Sequence, residues 1–361
     1  MEHAQLDSEE WSQIVLRLGG EKALASSARE HKAFIRARRI KAPSDVLRLA
    51  LMYGPGGCSL RGLAALAAGY GIANVSNVAV LDRIKQSADW LEFLCKKTLS
   101  TLLEASSIGG LSRRLRIVDG SRLEGPGDRA WRLHLCYDPV LGRIADAVIT
   151  TTKQGERLDR LAVVPGEIRI ADRGFPQPDG IRNVLDAGAD LLVRLTWNSL
   201  QMTDADGEPL DWLALFERTN VEGLLDMPVR VQKARSPMKP MQMRLVVIKK
   251  PPAAAEKARA KALRASRKDQ HRRLDPRTLA GADHIVLLTS LDHQEFPPDR
   301  LGNLYRLRWQ IELALKRLKS ILHIDRLPAK DPDLARAWLH AHLLFALLLD
   351  EQIAELGAVS P

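Results

Sequence analysis

The stretch that most constrains the fold is residues 304–322, whose sequence is LYRLRWQIELALKRLKSIL. At about 100° per residue its apolar residues share one side of a helix, which predicts that this side packs inward. These apolar residues are Leu304, Leu307, Ile311, Leu315, Leu318 and Leu322. The polar residues form a stripe along the adjacent arc: Tyr305, Arg308, Glu312, Lys316 and Lys319. We therefore expect Glu312 at the boundary between the core and the solvent.

Glu312 has two interpretations. It lies four residues before Lys316, a spacing at which opposite charges pair on the surface of an ordinary helix. Alternatively, an acid flanked on its own face by a tyrosine and three cations suits a site that holds both metal and phosphate. The second interpretation requires two further acids upstream, because one carboxylate cannot hold a pair of metal ions.

Composition narrows the possible partners. The chain has 361 residues, enough for two or three structural units, and a formal net charge of +10. Because the basic residues are spread along the chain, a polyanion such as nucleic acid is the simplest partner.

Cys58, Cys95 and Cys136 lie far apart, so neither a disulfide framework nor a zinc site is expected. No long apolar run or apolar leader is present, so we expect a cytoplasmic protein with no membrane partner.

Residues 1–105 have apolar residues at helical spacing and predict an all-α N-terminal DNA-binding domain. Residues 54–57 and 69–76 separate helices, and Ser76 is expected to cap the helix that follows it. This helix, turn and helix form either a helix-turn-helix or part of a plain helical bundle. The basic segment 36–41 would suit contacts with phosphates.

Residues 106–196 change to strand-like runs at 115–118, 130–137, 144–151 and 168–171, followed by a helix at 179–187 and a strand at 190–196. This order matches a ribonuclease-H-like sheet. Asp119 follows the first run and Asp172 follows the fourth, so each acid is expected at a strand end. The dipeptide Asp119-Gly120 could also be a hairpin turn, and Asp172 could simply cap a turn.

Residues 197–296 predict a mainly β insertion, with strands at 229–233, 243–248 and 285–290. It also contains a basic, alanine-rich helix at 253–273, which either is a solvated surface helix or contacts the DNA backbone. Residues 297–361 complete the core with the 304–322 helix and an apolar helix at 334–348. The predicted fold class is α/β and multi-domain, a ribonuclease-H-like mixed sheet with a β-rich insertion after an all-α domain.

The spacing Tyr-x2-Arg-x3-Glu-x6-Lys, met by Tyr305, Arg308, Glu312 and Lys319, resembles the YREK signature of DDE transposases of the insertion sequence 4 family. Trp309 directly follows the arginine, as it does in many members. The likeness extends upstream, since the contexts Val-Asp-Gly-Ser and Ala-Asp-Arg-Gly-Phe resemble the first two acidic motifs of this family.

This resemblance implies a catalytic and metal-binding set of Asp119, Asp172 and Glu312. Carboxylate oxygens suit Mg²⁺ or Mn²⁺ rather than zinc, and two such ions would serve phosphodiester chemistry. The residues expected to contact DNA are Tyr305, Arg308, Trp309, Lys316, Lys319, Arg173 and Arg194. Members of the family use the insertion to accommodate a displaced base. No tryptophan lies in the last strands of the insertion here, so that role is not assigned by the resemblance, and Trp309 and Trp212 are the only candidates.

The implied activity is cut-and-paste transposition through a hairpin intermediate. The implied partners are the terminal inverted repeats of the element and target DNA, bound by a homodimer on paired ends. No Gly-x4-Gly-Lys loop is present, so a nucleotide cofactor is not expected. Two alternatives are a catalytically silent transposase descendant that only binds DNA, and a ribonuclease-H-like nuclease without strand transfer.

Overall fold

The N-terminal region is entirely helical in the computed structural model, which describes residues 8–104, 113–127, 130–232, 239–268 and 274–359. Its helices are α1 (Ser8–Arg17), α2 (Gly20–Glu30), α3 (Pro43–Tyr53), α4 (Leu60–Gly69), α5 (Asn77–Gln86) and α6 (Ala88–Glu104). Ser76 caps α5 as predicted, because its hydroxyl accepts a hydrogen bond from the amide of Ala79 at 3.2 Å. The predicted all-α N-terminal region is confirmed.

Five strands form the predicted ribonuclease-H-like part of the sheet. They are β1 (Leu115–Glu124), β2 (Ala130–Asp138), β3 (Arg143–Thr151), β4 (Ile168–Ala171) and β5 (Asp190–Leu195), with α7 (Pro178–Asp186) between the last two. Their order across the sheet is β3-β2-β1-β4-β5. β1, β4 and β5 run parallel, whereas β2 is antiparallel to both β1 and β3.

The hairpin interpretation of Asp119-Gly120 is wrong. Pairing between β1 and β2 continues past this dipeptide, with Gly120 opposite His134 and Ser121 opposite Leu133. Because the ladder is unbroken, the chain does not reverse here, and β1 extends to Glu124. Asp119 therefore lies within a strand and not at the strand end that the sequence predicted.

The insertion extends the central sheet. It contributes β6 (Met202–Thr203), α8 (Trp212–Glu222), β7 (Leu224–Val231), β8 (Met241–Lys249), α9 (Pro252–Lys268), α10 (Pro276–Ala282) and β9 (His284–Thr289). β9 pairs antiparallel with β5, and the order β9-β8-β7-β6 completes a nine-stranded sheet. The three predicted strands correspond to β7, β8 and β9, but β6, α8 and α10 were missed. The last residues of the predicted basic helix, 269–273, lie outside the described part of the chain.

The 304–322 segment is not one continuous helix. The structure has α11 (Pro298–Arg306) and α12 (Trp309–Ser320), followed by the long α13 (Pro332–Val359). Between α11 and α12 the hydrogen bonds shorten to the i−3 pattern: the amide of Leu307 bonds the carbonyl of Leu304 at 3.1 Å, and Gln310 bonds Leu307 at 3.0 Å. These are 3₁₀-type turns, which wind the backbone more tightly than an α-helix does.

The predicted inward side of this segment is confirmed. Ile311, Leu315 and Leu318 are buried, and the remaining leucines of the set pack against the same core. This core lies on the sheet face that also carries the N-terminal helices and α13, while a second core lies on the opposite face with α7 and α8. No helix in the described part of the chain is long and apolar enough to cross a membrane.

We predict that the fully buried Arg169 of β4 is a major contributor to stability. Its Nε donates to Glu167 Oε1 at 2.5 Å, and its Nη1 donates to the carbonyl of Leu161 at 3.0 Å. Arg169→Ala would leave a buried carboxylate unpaired, so it should lower the free energy of unfolding by about 3–5 kcal/mol in urea titrations.

A suitable control is Arg259→Ala, which removes the more exposed pair with Asp283. Its expected effect is at most about 1 kcal/mol. Equal losses for the two variants would contradict the prediction.

Candidate active site

Asp119 and Asp172 are brought together by the parallel pairing of β1 and β4. Val118 of β1 pairs with Ala171 of β4, and the residue that follows each of them is an aspartate. Asp119 and Asp172 therefore lie side by side. Paired residues of neighbouring strands point to the same face of a sheet, and successive residues alternate between faces. Val118 and Ala171 belong to the core on the α7 side. Both aspartates therefore belong to the opposite face, which α11 and α12 cover.

Tyr305 of α11 holds Asp172 from this face. Its side chain is buried, and its hydroxyl donates a hydrogen bond to Asp172 Oδ1 at 3.0 Å. Burial raises the pKa of Tyr305, and the neighbouring Asp172 carboxylate acts in the same direction, so the phenol remains a donor at physiological pH. The helical spacing predicted that Tyr305 lies on the polar stripe and contacts DNA, but in this structure its hydroxyl donates to Asp172.

Arg308 links the other two acids from the turn between α11 and α12. Its Nη2 donates to Glu312 Oε1, and its Nη1 lies 4.0 Å from Asp119 Oδ2. The Arg308 side chain is only 15% exposed, whereas that of Glu312 is 57% exposed. Two members of the YREK set thus contact the predicted acids, with Tyr305 bonded to Asp172 and Arg308 placed between Asp119 and Glu312.

The electrostatic environment of Asp119 is unusual for an aspartate. Burial raises the pKa of Asp119 to about 6, and the negative charges of Glu156 and Asp172 act in the same direction. The backbone amide of Gly120, which donates to Asp119 Oδ1 at 2.7 Å, and the Arg308 guanidinium oppose this rise in pKa. A carboxylate in such surroundings gains stability from a nearby cation.

The three predicted acids suit a metal ion by their chemistry but are not gathered around one point. Within the described part of the chain, no three histidine, cysteine, aspartate or glutamate side chains are gathered closely enough to hold an ion. The donor types nevertheless suit Mg²⁺ or Mn²⁺, which prefer carboxylate oxygens. The Arg308 guanidinium supplies positive charge between Asp119 and Glu312. The residues therefore fit a divalent ion by chemistry, with Arg308 as the competing cation.

A basic cavity of about 670 Å³ borders Asp172. Arg173 and Arg194, both predicted to contact DNA, line it together with Lys250 and Lys261. Desolvation, together with the positive charges of Arg194 and Arg173, lowers the pKa of Lys250 to about 8. Sequence reasoning missed the two lysines because only the extension of the sheet by β9 and β8 brings the insertion beside β5. Lys261 is on α9, so this basic helix faces the cavity along part of its length.

The predicted basic residues of α12 lie at its outer side. Lys316 is exposed, and the ammonium of Lys319 donates to the carbonyl of Arg122 at 3.4 Å. Lys319 is therefore next to the far end of β1, on the strand that carries Asp119.

The tryptophans differ sharply in accessibility. Trp309 is 54% exposed at the start of α12, whereas Trp212 is 7% exposed and packs against Phe216. Trp212 is therefore part of the core. Trp197, which sequence reasoning did not single out, lines the basic cavity, and the Arg277 guanidinium lies 3.8 Å from its ring centroid.

A ribonuclease-H-like sheet that brings two aspartates side by side, followed by a helix with a glutamate, is the arrangement expected of a DDE enzyme acting on phosphodiesters. Residues 110–349 match the family described as the transposase DDE domain, and the chain belongs to that family. Domains of this family generally use divalent metal ions.

Relatives in Escherichia coli extend the match to nearly the whole chain. The chain is 40% identical over 349 residues to the putative transposase InsL of insertion sequence element IS186A from strain K12, covering 95% of this chain and 94% of the relative. It is 39% identical over 350 residues to the transposase of insertion sequence element IS421, with the same shares covered. The resemblance to insertion sequence 4 transposases is supported, and the chain is an enzyme of DNA cleavage and transfer.

We predict unequal losses of stability when either of the two candidate tryptophans is replaced. Trp212→Ala removes a buried ring and should destabilise the protein by about 3–5 kcal/mol. Trp309→Ala removes an exposed ring and should change stability by no more than about 0.5 kcal/mol. Thermal and urea unfolding of both variants measure this difference. A strongly destabilised Trp309→Ala would mean that this ring is structural and not available to DNA.

Proposed function

We propose that this chain is a metal-dependent, cut-and-paste DNA transposase of an insertion sequence. Asp119, Asp172 and Glu312 are its catalytic residues and hold Mg²⁺ or Mn²⁺ as a pair of ions. The observation that carries this proposal is the parallel register that sets Asp119 beside Asp172, with Glu312 joined to Asp119 through Arg308.

Asp119, Asp172 and Glu312 would hold the two divalent ions, which would supply activation of the attacking oxygen and stabilisation of the leaving oxygen in an in-line displacement. The side chains of this protein position the reactants. Tyr305 orients Asp172 through its hydrogen bond, which leaves the second carboxylate oxygen for a ligand. Arg308 exchanges its bond to Glu312 for a phosphate of the DNA, since a guanidinium binds phosphate in a bidentate fork.

The reaction is an exchange of phosphodiesters. Water or a 3′-hydroxyl attacks phosphorus and gives up its proton, while the bond from phosphorus to the leaving 3′-oxygen breaks and that oxygen takes up a proton. The first cut frees a 3′-hydroxyl, which attacks the opposite strand and produces a hairpin end. Water then reopens the hairpin, and the 3′-hydroxyl freed in this way is joined to target DNA. Because each joining step exchanges one such bond for another, no nucleotide cofactor is consumed.

DNA is bound by basic residues on both sides of the acids. Arg173 and Arg194, with Lys250 in the basic cavity, hold one side, while Lys316 and Lys319 on α12 hold the other. The helical domain of residues 1–105 binds the terminal inverted repeats, and residues 106–196 and 297–361 form the catalytic core around the 197–296 insertion. A homodimer acts on paired ends, on bacterial nucleoid DNA in the cytoplasm.

We predict that Asp119→Asn, Asp172→Asn and Glu312→Gln each abolish cleavage and leave DNA binding intact, because each removes a charged metal-ligating oxygen and little volume. The assay incubates purified protein with Mg²⁺ or Mn²⁺ and labelled DNA that spans the flanks of its own gene. Glu217→Gln, which neutralises an exposed acid of α8, is the matched control and should cleave like the wild type.

The products of this assay distinguish the alternatives. Nicked, hairpin and joined products from the wild type support transposition. Cuts without joined products would favour a ribonuclease-H-like nuclease, and binding without products would favour a silent DNA-binding descendant. Cleavage retained by any one of the three acidic variants would remove that residue from the site.

We predict that Arg308→Ala and Lys319→Ala weaken binding to the DNA end and flatten its dependence on salt. Each lost phosphate contact should reduce the slope of log K against log salt by about one unit. Arg218→Ala is the control, since this guanidinium already pairs with Glu222 at 2.8 Å on α8, outside the helical DNA-binding domain. Fluorescence anisotropy between low and moderate salt measures the slopes, and an unchanged slope would exclude that residue from phosphate contact.

A further inference from the structure

Glu156 lies directly behind the proposed catalytic aspartates, in the segment between β3 and β4. Its carboxylate occupies the space that side chains at two glycines would need. A Cβ atom added at Gly120 would lie 2.8 Å from Glu156 Oε1, and one added at Gly174 would collide with Oε2. Gly120 directly follows Asp119, and Gly174 is the second residue after Asp172. One carboxylate therefore packs against the backbone beside both acids.

Glu156 is held at both its side chain and its backbone. Arg132 of β2 binds Oε1 through Nη1 at 2.6 Å, and the two side chains are only 22% and 25% exposed. The side-chain amide of Gln177 donates to the carbonyl of Glu156 at 3.2 Å. Because these partners belong to β2 and to the segment that follows β4, Glu156 connects the surroundings of both aspartates.

The two faces of the sheet give Glu156 a role distinct from that of a metal ligand. Asp119 lies on the face covered by α11 and α12, and the next residue, Gly120, faces the opposite side. Tyr305 and Arg308 thus hold the acids from the front, and Glu156 supports their backbone from behind. Its negative charge also contributes, after burial, to the raised pKa of Asp119.

We propose that Glu156, anchored by Arg132, is a positioning residue that fixes Asp119 and Asp172 relative to each other and thereby sets the affinity of the acidic site for divalent metal. This inference rests on the proposed function. This role accounts for the glycines at positions 120 and 174, since the Glu156 carboxylate occupies the space that a larger side chain there would need. Groups that orient metal ligands without touching the metal typically change affinity or activity by about 10–100-fold when they are mutated.

The first experiment measures Mn²⁺ binding to the full-length protein by electron paramagnetic resonance of the free ion. Glu156→Ala should raise the Kd for Mn²⁺ by about 10–100-fold. Glu156→Gln keeps the side-chain volume and can still accept a hydrogen bond from Arg132, so its loss of affinity for Mn²⁺ should be clearly smaller. Gly155→Ala is the matched control, because nothing lies within 4 Å of the added Cβ. A Kd for Glu156→Ala within twofold of the wild type would overturn the inference.

The second experiment tests the packing without relying on activity. Gly120→Ala should lower the Tm, since the new methyl group collides with an anchored carboxylate. Neither Gly120 nor Gly174 has a left-handed φ, so the alanine itself fits the backbone. Adding Glu156→Ala removes the collision, so the double variant should be more stable than the sum of the single effects. Additive effects would show that the two residues do not share this space and would overturn the inference.

The two proposals fail in different ways. If Glu156 variants bind Mn²⁺ normally while Asp119→Asn and Glu312→Gln lose cleavage, the positioning role fails and the transposase mechanism stands. If the wild type neither binds Mn²⁺ nor cleaves DNA, the metal-dependent function fails, and the role of Glu156 fails with it.

Discussion

Parallel hydrogen bonding between β1 and β4 is the constraint on which the site depends. Four residue pairs set the register, from Leu115↔Ile168 to Val118↔Ala171, and the two aspartates follow as neighbours. A shift of one residue would turn one aspartate to the opposite face, because side chains alternate along a strand. The buried arginine of β4 stabilises the same strand, since its guanidinium donates to the carbonyls of the loop that precedes it. The chemistry of this protein therefore rests on a short strand that is buried throughout.

The other parts of the site are arranged around this pair. The tight turn between α11 and α12 separates Tyr305, which bonds Asp172, from Arg308, which bonds Glu312. A guanidinium between two carboxylates offsets their mutual repulsion. A guanidinium also binds phosphate well, so the residue that lies between Asp119 and Glu312 is chemically suited to a DNA phosphate. On the reverse face, Glu156 completes the support of the two strands.

Much of the fold follows from local patterns. The five strands of the core, the capping serine before α5 and the inward face of α12 were predicted because period-two and helical spacing depend on nearby residues. The acids were predicted from short motifs and their order. Local spacing could not predict that β1 continues through Asp119, since Asp-Gly suits a hairpin equally well. Only pairing with β2, which places His134 opposite Gly120, decided between the two.

The sequence by itself therefore determined the family and the order of the five core strands, and it predicted the three acids. The tertiary structure decided which groups meet. The break at Leu307, the lysines of the basic cavity and the position of Glu156 all depend on contacts between distant segments. Glu156 shows the reason most clearly: its partners Arg132, Gly120 and Gly174 lie 24, 36 and 18 residues away in the chain, respectively. No local spacing marks such a cluster, because the contacts arise only when three strands align and leave a space the size of a carboxylate.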